Sequence, residues 1–454
     1  MNFCLREKRK SRNFFSFCLE IISNFEIKNM SNRATVIIGA GAVLDFDFEG
    51  ITFPSTSNIT SIVSKLIVQG LDSSQSNIIP TIFNELNSRV NEVYIRRGLP
   101  MLNYSVNFEE LFFAIECLSS INRIYNNENL VPNASPLWGY LVEQISVKYP
   151  SIEYQRALIK IIYTIIGIIK EYDTKFCNDL LYETWYRNFW RDKLNKWDIF
   201  TFNYDTTVEN SLKLYEDGFE LADDTEREYE HFVPSKLYAN NERHSTIHHL
   251  HGCIYYSELN PRQYEFEHSH RDMYKLHNLN DAILKIGIQS SPSTQAYERY
   301  VNSPIIIGQR KLDKQIYLPF SIYHANLANK ILDNPNLLIV GYSFGDLYAN
   351  QLIERPKLIH GDNQRIVLID KFPTYIETKA NLYRHIEDNL SGGLKMFLRR
   401  QLNYKLTPDF KIVGLDIAEY DSPIFSEDKR TLMFISGFKA AVKHSELIYN
   451  FLRL

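Results

Sequence analysis

Four short blocks hold the residues of this chain whose types and spacing could carry chemistry, and each follows an apolar run. The first is Gly39-Ala40-Gly41-Ala42-Val43-Leu44-Asp45. Small residues straight after a strand let backbone amides approach a pyrophosphate at a helix N-terminus. Leu44 stands where a full dinucleotide fingerprint has its third glycine, so a plain tight turn is the competing reading. The second block is Thr201-Phe202-Asn203-Tyr204-Asp205. Asn203 and Asp205 share one face if the strand continues, one able to donate and accept, the other a charged acceptor. An Asx-turn closing the strand is the alternative.

The third block is His248-His249-Leu250-His251-Gly252. Three histidines in four positions invite a metal, but strand alternation puts His249 and His251 on one face and His248 on the other. No cysteine or carboxylate cluster is evident beside them, so no metal is expected. A single catalytic His251, with a glycine after it clearing room for substrate, reads better. The fourth block, Gly341-Tyr342-Ser343-Phe344-Gly345-Asp346, matches the G-x-S-x-G nucleophile elbow of serine hydrolases. Asp370 and His385 follow in the order that triad needs, and His251-Gly252 could supply an oxyanion hole. Against this, Ser343 and Asp370 are only one strand–helix step apart, and the first two blocks would have no role.

These blocks need a scaffold that brings them together. Ala34–Ile38, Trp197–Phe202, Thr246–Leu250, Pro304–Ile307, Asn336–Val340 and Arg365–Ile369 read as strands, the last two apolar on both faces as buried parallel strands are. With helix-like Leu347–Ile353 between them, those two make a βαβ unit. After Pro54 the spacing turns helical, as in Phe108, Leu111, Phe112, Ile115 and Leu118, and stays so over about residues 58–196. Leu158–Ile169 is too short to span a bilayer and reads as a buried helix. The pattern predicts an α/β fold: a Rossmann-like parallel sheet with a large helical insertion after the first βα unit and a mainly helical C-terminal tail. Residues 1–33 are expected to be an N-terminal extension, with Met30 as an alternative start. Residues 34–372 are expected to form the domain that carries the four blocks, and 373–454 a helical region with a short strand near 410–413, expected to serve as an assembly interface. In such a sheet the carboxyl ends of the strands form the ligand crevice, so all four blocks should converge there.

Composition narrows the function. The chain has 454 residues, 44% hydrophobic and 23% charged, with a net charge of -4, so it offers no global field for nucleic acid. Its five cysteines, Cys4, Cys18, Cys117, Cys177 and Cys253, are scattered and contain no C-x-x-C pair, which argues against a disulfide framework or a zinc ribbon. A cytoplasmic protein without a membrane association is expected.

Taken in order, the blocks resemble the sirtuin-like family of bacterial antiphage defence. Gly39-Ala40-Gly41, Phe202-Asn203-Tyr204-Asp205, His251-Gly252, and Gly341-Tyr342-Ser343 with Asp346 match its motifs over roughly residues 34–372. The segment from Pro304 to Lys314 followed by Leu318-Pro319-Phe320 also looks like that family's. Two departures matter: a four-cysteine zinc module cannot be built here, and a long helical region stands between the first two blocks. Both set the chain apart from protein deacylases and suit the NAD-consuming branch. The resemblance implies NAD as substrate, split to nicotinamide and ADP-ribose, with Asn203, His251 and Asp205 catalytic. Asn203 would orient the ribose and water, and His251 would act as general base with an ordinary pKa of about 6.5. Gly39, Ala40, Gly41, Thr201, Gly341, Ser343, Phe344 and Asp346 would hold the cofactor, with Asp370 on the adenosine ribose. It further implies homo-oligomerisation or a partner such as a HerA-type ATPase. A serine esterase and a non-catalytic NAD- or ADP-ribose-binding subunit are the alternatives.

Overall fold

Short runs of Ile, Val and Leu, apolar at successive positions, are stable as strands only when both faces are covered. In the computed structural model they are. Described are residues 33–51, 53–70, 75–96, 105–126, 149–180, 183–191, 196–221, 229–239, 244–258, 272–290, 299–308, 311–372, 392–401, 421–426 and 428–454. Residues 1–32 of the expected N-terminal extension, His385 and the strand expected near 410–413 lie outside them, and Arg33 already belongs to the first strand.

The central sheet comprises β1 (Arg33–Ile38), β2 (Lys196–Thr201), β3 (Tyr215–Glu216), β4 (Ser245–His249), β5 (Asn336–Val340), β6 (Arg365–Ile369), β7 (Ile424–Phe425) and β8 (Thr431–Phe434). They run in the order β7-β8-β6-β5-β1-β2-β4-β3. All neighbours are parallel except β7 and β8. From β1 the chain builds outward through β2 to β4, then returns to β5 on the other flank and builds outward again. The strand order therefore reverses between β1 and β5, and a ligand crevice belongs at their carboxyl ends.

At that point the two loops touch backbone to backbone. Gly39 N–H donates to Val340 O at 3.0 Å, and Gly41 N–H to Gly341 O at 2.9 Å. A Cβ on Gly39 would stand 2.6 Å from Gly341 O, and one on Gly41 2.6 Å from Gly341 Cα. Gly341 itself has φ +58°, and a Cβ there would lie 2.2 Å from Ala42 N. These glycines exist for contact between loops.

Between β1 and β2 lies the helical insertion: α1 (Thr56–Val63), α2 (Ile78–Arg96), α3 (Phe108–Asn126), α4 (Ser151–Asn178) and α5 (Thr184–Trp190). The expected buried helix is the middle of α4, where Leu158, Ile161, Ile162, Ile165, Ile166 and Ile169 are all buried. No helix among the described residues is long and apolar enough to cross a membrane.

One expectation changes. Pro304–Ile307 is buried but is no strand of the sheet. It crosses the strand ends, where Ile306 N–H donates to His251 O at 2.7 Å and Ile305 bridges Gly252. A buried apolar run has the same pattern in either setting, and Pro304 lacks the amide a ladder needs. The tail, mainly helical among its described residues, also joins the sheet. Its strand β8 extends the sheet beyond β6, and Phe438 packs among Trp185, Tyr186, Phe189 and Trp190 of α5. Asp45 accepts from Lys439 N–H at 3.0 Å and pairs with Lys371 at 2.7 Å, clasping the tail to the end of the first block.

Gly341→Ala should destabilise the fold by about 2 kcal/mol or more, since a positive φ costs a side chain on the order of 1–3 kcal/mol before any clash. Thermal and urea unfolding should both show it, whereas Gly167→Ala, whose Cβ would meet nothing within 4 Å, should be tolerated.

Candidate active site

At the carboxyl ends of β1, β2, β4 and β5 lies a cavity of about 410 Å³. From the four blocks it is lined by Gly39, Ala40, Asn203, His251, Ser343 and Asp346. This volume falls in the range of small-molecule sites.

Asn203 follows β2 by two residues. Its N–H donates to Thr201 Oγ1 at 3.0 Å, so Thr201 shapes the turn from a buried position behind the cavity. The side-chain amide of Asn203 makes no hydrogen bond to a described residue and is available to a ligand. Phe202 stacks on Tyr342 at 4.8 Å and meets the His251 ring edge-on, also at 4.8 Å.

His251 stands in the turn after β4. That turn sends His251 to the cavity while His249 stays beneath the sheet end, so strand alternation does not hold across it. Gly252 has φ +88°, and a Cβ there would lie 2.2 Å from Pro304 O. The glycine clears room for the crossing 304–307 segment, not for substrate. His248 is a satisfied core histidine, stacked on Phe200 at 4.4 Å with Nδ1 on Ile199 O at 3.1 Å.

The central pair of the cavity is His251 and Asp346, Nε2 to Oδ2 at 3.2 Å. Burial, reinforced by the nearby Lys311 charge, pushes His251 down to about 3. The ring is therefore neutral at pH 7, donating Nε2–H to Asp346 and keeping its lone pair on Nδ1. This departs from the ordinary value that its residue type suggests. Burial alone would raise Asp346, but the His251 hydrogen bond and the Ala349 N–H hold its carboxyl well below the usual range. Asp346 also caps the helix α6 (Leu347–Ile353), accepting from Ala349 N–H at 3.0 Å. One carboxylate thus fixes both a helix start and an imidazole.

Other predicted residues stand back from the cavity wall. Asp205 is buried, accepting Tyr172 Oη at 2.7 Å and Thr207 Oγ1 at 2.5 Å. It pins α4 to the loop after β2, and Tyr172 reaches the cavity in its place. Phe344 turns away toward Phe397, at 4.7 Å between rings. Gly41 and Gly341 serve the loop contact, which leaves Gly39 and Gly41 N–H unavailable to a pyrophosphate. Asp370 accepts Lys371 N–H at 2.8 Å and is pushed up to about 6 by burial. The elbow geometry is also missing: positive φ falls on Gly341 and Phe344 rather than on Ser343.

The insertion supplies wall residues that no motif announced. Asn107, Phe108 and Glu109 line the cavity at the start of α3, with Thr56 and Ile59 of α1 and Ile169 and Tyr172 of α4. Asn107 and Glu110 form a reciprocal capping box, at 3.0 and 2.9 Å, that sets this turn. Lys311 pairs with Glu109 at 3.1 Å and is the only Lys or Arg on the wall among the described residues. The capping box was visible in the sequence; its convergence on the cavity was not.

Residues 198–389 match the SIR2-like domain family. The match begins inside β2 and includes Asn203, His251, Ser343, Asp346 and Asp370, and it supports an NAD-utilising enzyme in general. The glycine turn Gly39–Gly41 and the whole of the helical insertion lie outside it. No curated protein matches the chain.

The depressed His251 pKa has a signed consequence. Below pH 6.5 the unfolded chain protonates this histidine while the folded chain keeps it neutral until about pH 3, so stability falls as pH drops through that window. At pH 5 the loss should be about 2 kcal/mol. His251→Gln should remove that share of the pH dependence in urea unfolding at pH 7 and pH 5.

Proposed function

We propose that the chain is an NAD glycohydrolase, converting NAD and water to nicotinamide, ADP-ribose and a proton. The observation that carries this reading is the meeting, in one cavity, of the Asn203 amide, which has no hydrogen-bond partner among the described residues, with the His251–Asp346 couple at the β1–β5 reversal.

Breaking the C1′–nitrogen bond leaves an oxocarbenium-like sugar, so positioning and charge matter more than a strong nucleophile. Asn203 would orient the ribose and the water. The water oxygen bonds to C1′ as nicotinamide leaves with the bonding electron pair, and the water proton passes to a base. His251 can take that proton on Nδ1 only as its pKa rises above the value that burial and Lys311 impose in this cavity, and Asp346 supports that rise by offsetting the charge that develops on the ring. Ala40, Ser343 and Lys311 line the cavity where diphosphate oxygens would be met by an amide, a hydroxyl and a cation. Asp205 acts through Tyr172.

The motif order is what supports a role in bacterial antiphage defence by NAD depletion, restrained by homo-oligomerisation or by a partner such as a HerA-type ATPase. Exposed Leu347, Leu358 and Ile359, beside the site's helix, suit such an assembly.

Incubating the full chain with NAD, alone and with candidate partners, and quantifying nicotinamide tests the reading. Asn203→Ala and His251→Ala should each lower turnover by about 100-fold or more, and cleavage that survives both would remove them from the mechanism. Lys311→Met should raise KM by about tenfold with a smaller effect on kcat, the worth of one charge-assisted contact.

A further inference from the structure

Beneath the cavity floor, outside the residues used above, three side chains converge that are far more polar than their surroundings. They are Glu209 in the short turn after the Asn203 loop, His249 at the end of β4, and Cys253 just past the His251-Gly252 turn. A ligand atom from each lies within 4.8 Å of the others. Glu209 is 7% exposed, and His249 and Cys253 are 1% exposed.

We propose that Glu209, His249 and Cys253 form a buried site for a zinc-class divalent ion, separate from the NAD cavity and independent of the NAD reading. Glu209 Oε1 meets His249 Nε2, but its Oε2 is buried with no hydrogen-bond partner. A buried carboxylate oxygen without a donor is costly, and a cation removes that cost. His249 Nδ1 donates to Asn203 O at 3.3 Å. Metal-bound histidines use their second nitrogen in this way, toward a carbonyl that fixes the ring.

The donor set selects the ion. Sulfur, imidazole nitrogen and carboxylate oxygen suit zinc or a metal of similar softness, whereas calcium and magnesium require oxygen shells. Three protein ligands leave a fourth position for water. Binding releases the Cys253 thiol proton and the proton that His249 shares with Glu209, so thiolate and carboxylate together neutralise the ion. Because His249 holds the Asn203 carbonyl, the ion would act as a clamp on the loop that carries Asn203, making His249 a positioning residue. The local sequence around the histidines shows no cluster of partners for a metal. Cys253 was two residues past His251, and Glu209 was 40 residues before His249.

The test is metal content, which does not depend on any enzymatic activity. The full chain, exposed to excess zinc and dialysed, should retain about one zinc ion per chain by mass spectrometry. Cys253→Ala and Glu209→Gln should each retain less than about a tenth of that, at least a 10-fold loss, while Cys117→Ala and Cys177→Ala retain it fully. Cobalt in place of zinc should show thiolate-to-metal charge-transfer absorption in the wild type. Wild-type protein with a native melting transition but without retained zinc overturns the proposal, as does equal retention by Cys253→Ala. Should the variants fail to fold, a cobalt spectrum of the wild type without the thiolate band overturns it alone.

Discussion

The loops after β1 and β5 approach until there is no room for a Cβ on either side. Gly39, Gly41 and Gly341 make that approach, with two amide-to-carbonyl bonds sealing it. The strand order reverses there, so this contact sets the separation of the two walls of the crevice. It holds Ala40 and Ser343 on a shared cavity, and it carries Asp346 forward to the position where His251 can meet it. A wider contact would part that couple.

Buried polar groups then fix the remaining parts relative to this seam. Asp205 takes Tyr172 from α4, and Asp173 of the same helix takes Thr206 N–H at 2.7 Å. Both bonds run from the insertion to the loop that carries Asn203, so the insertion is bolted to the site and contributes its wall. Burial and the neighbouring Asp205 push Asp173 up to about 7. Such a group is tolerated only where its partners are held rigidly. The tail closes the structure from the far side, through β8, Phe438 and the clasp on Asp45.

The His251–Asp346 couple shows how environment overrides residue type. A histidine in water titrates near neutrality, but here burial removes the stabilisation of its charged form. The same burial would raise an isolated aspartate, yet Asp346 stays ionised because a ring N–H and a helix N-terminus both point at it. Two groups in one cavity are thereby driven to complementary forms, one neutral with a lone pair and one anionic.

The sequence by itself determined the class of fold and the four places where chemistry gathers. Doubly buried strands have an apolar signature that needs no partner to be read, and loops at their carboxyl ends share one edge by topology. Asn203, His251, Ser343 and Asp346 were legible for that reason. What each residue does was decided only by the tertiary structure. Thr201, Asp205 and Phe344 stand in the same motifs but turn toward the interior, because the direction of a side chain beyond a strand end depends on the turn. Gly252 makes room for Pro304, a neighbour more than fifty residues away. Lys311, Glu109 and the grouping of Glu209 with His249 and Cys253 carry no local pattern at all. They meet because separate elements pack against one sheet, and pairwise distance between remote residues, like the dielectric around a buried histidine, is a property of that packing.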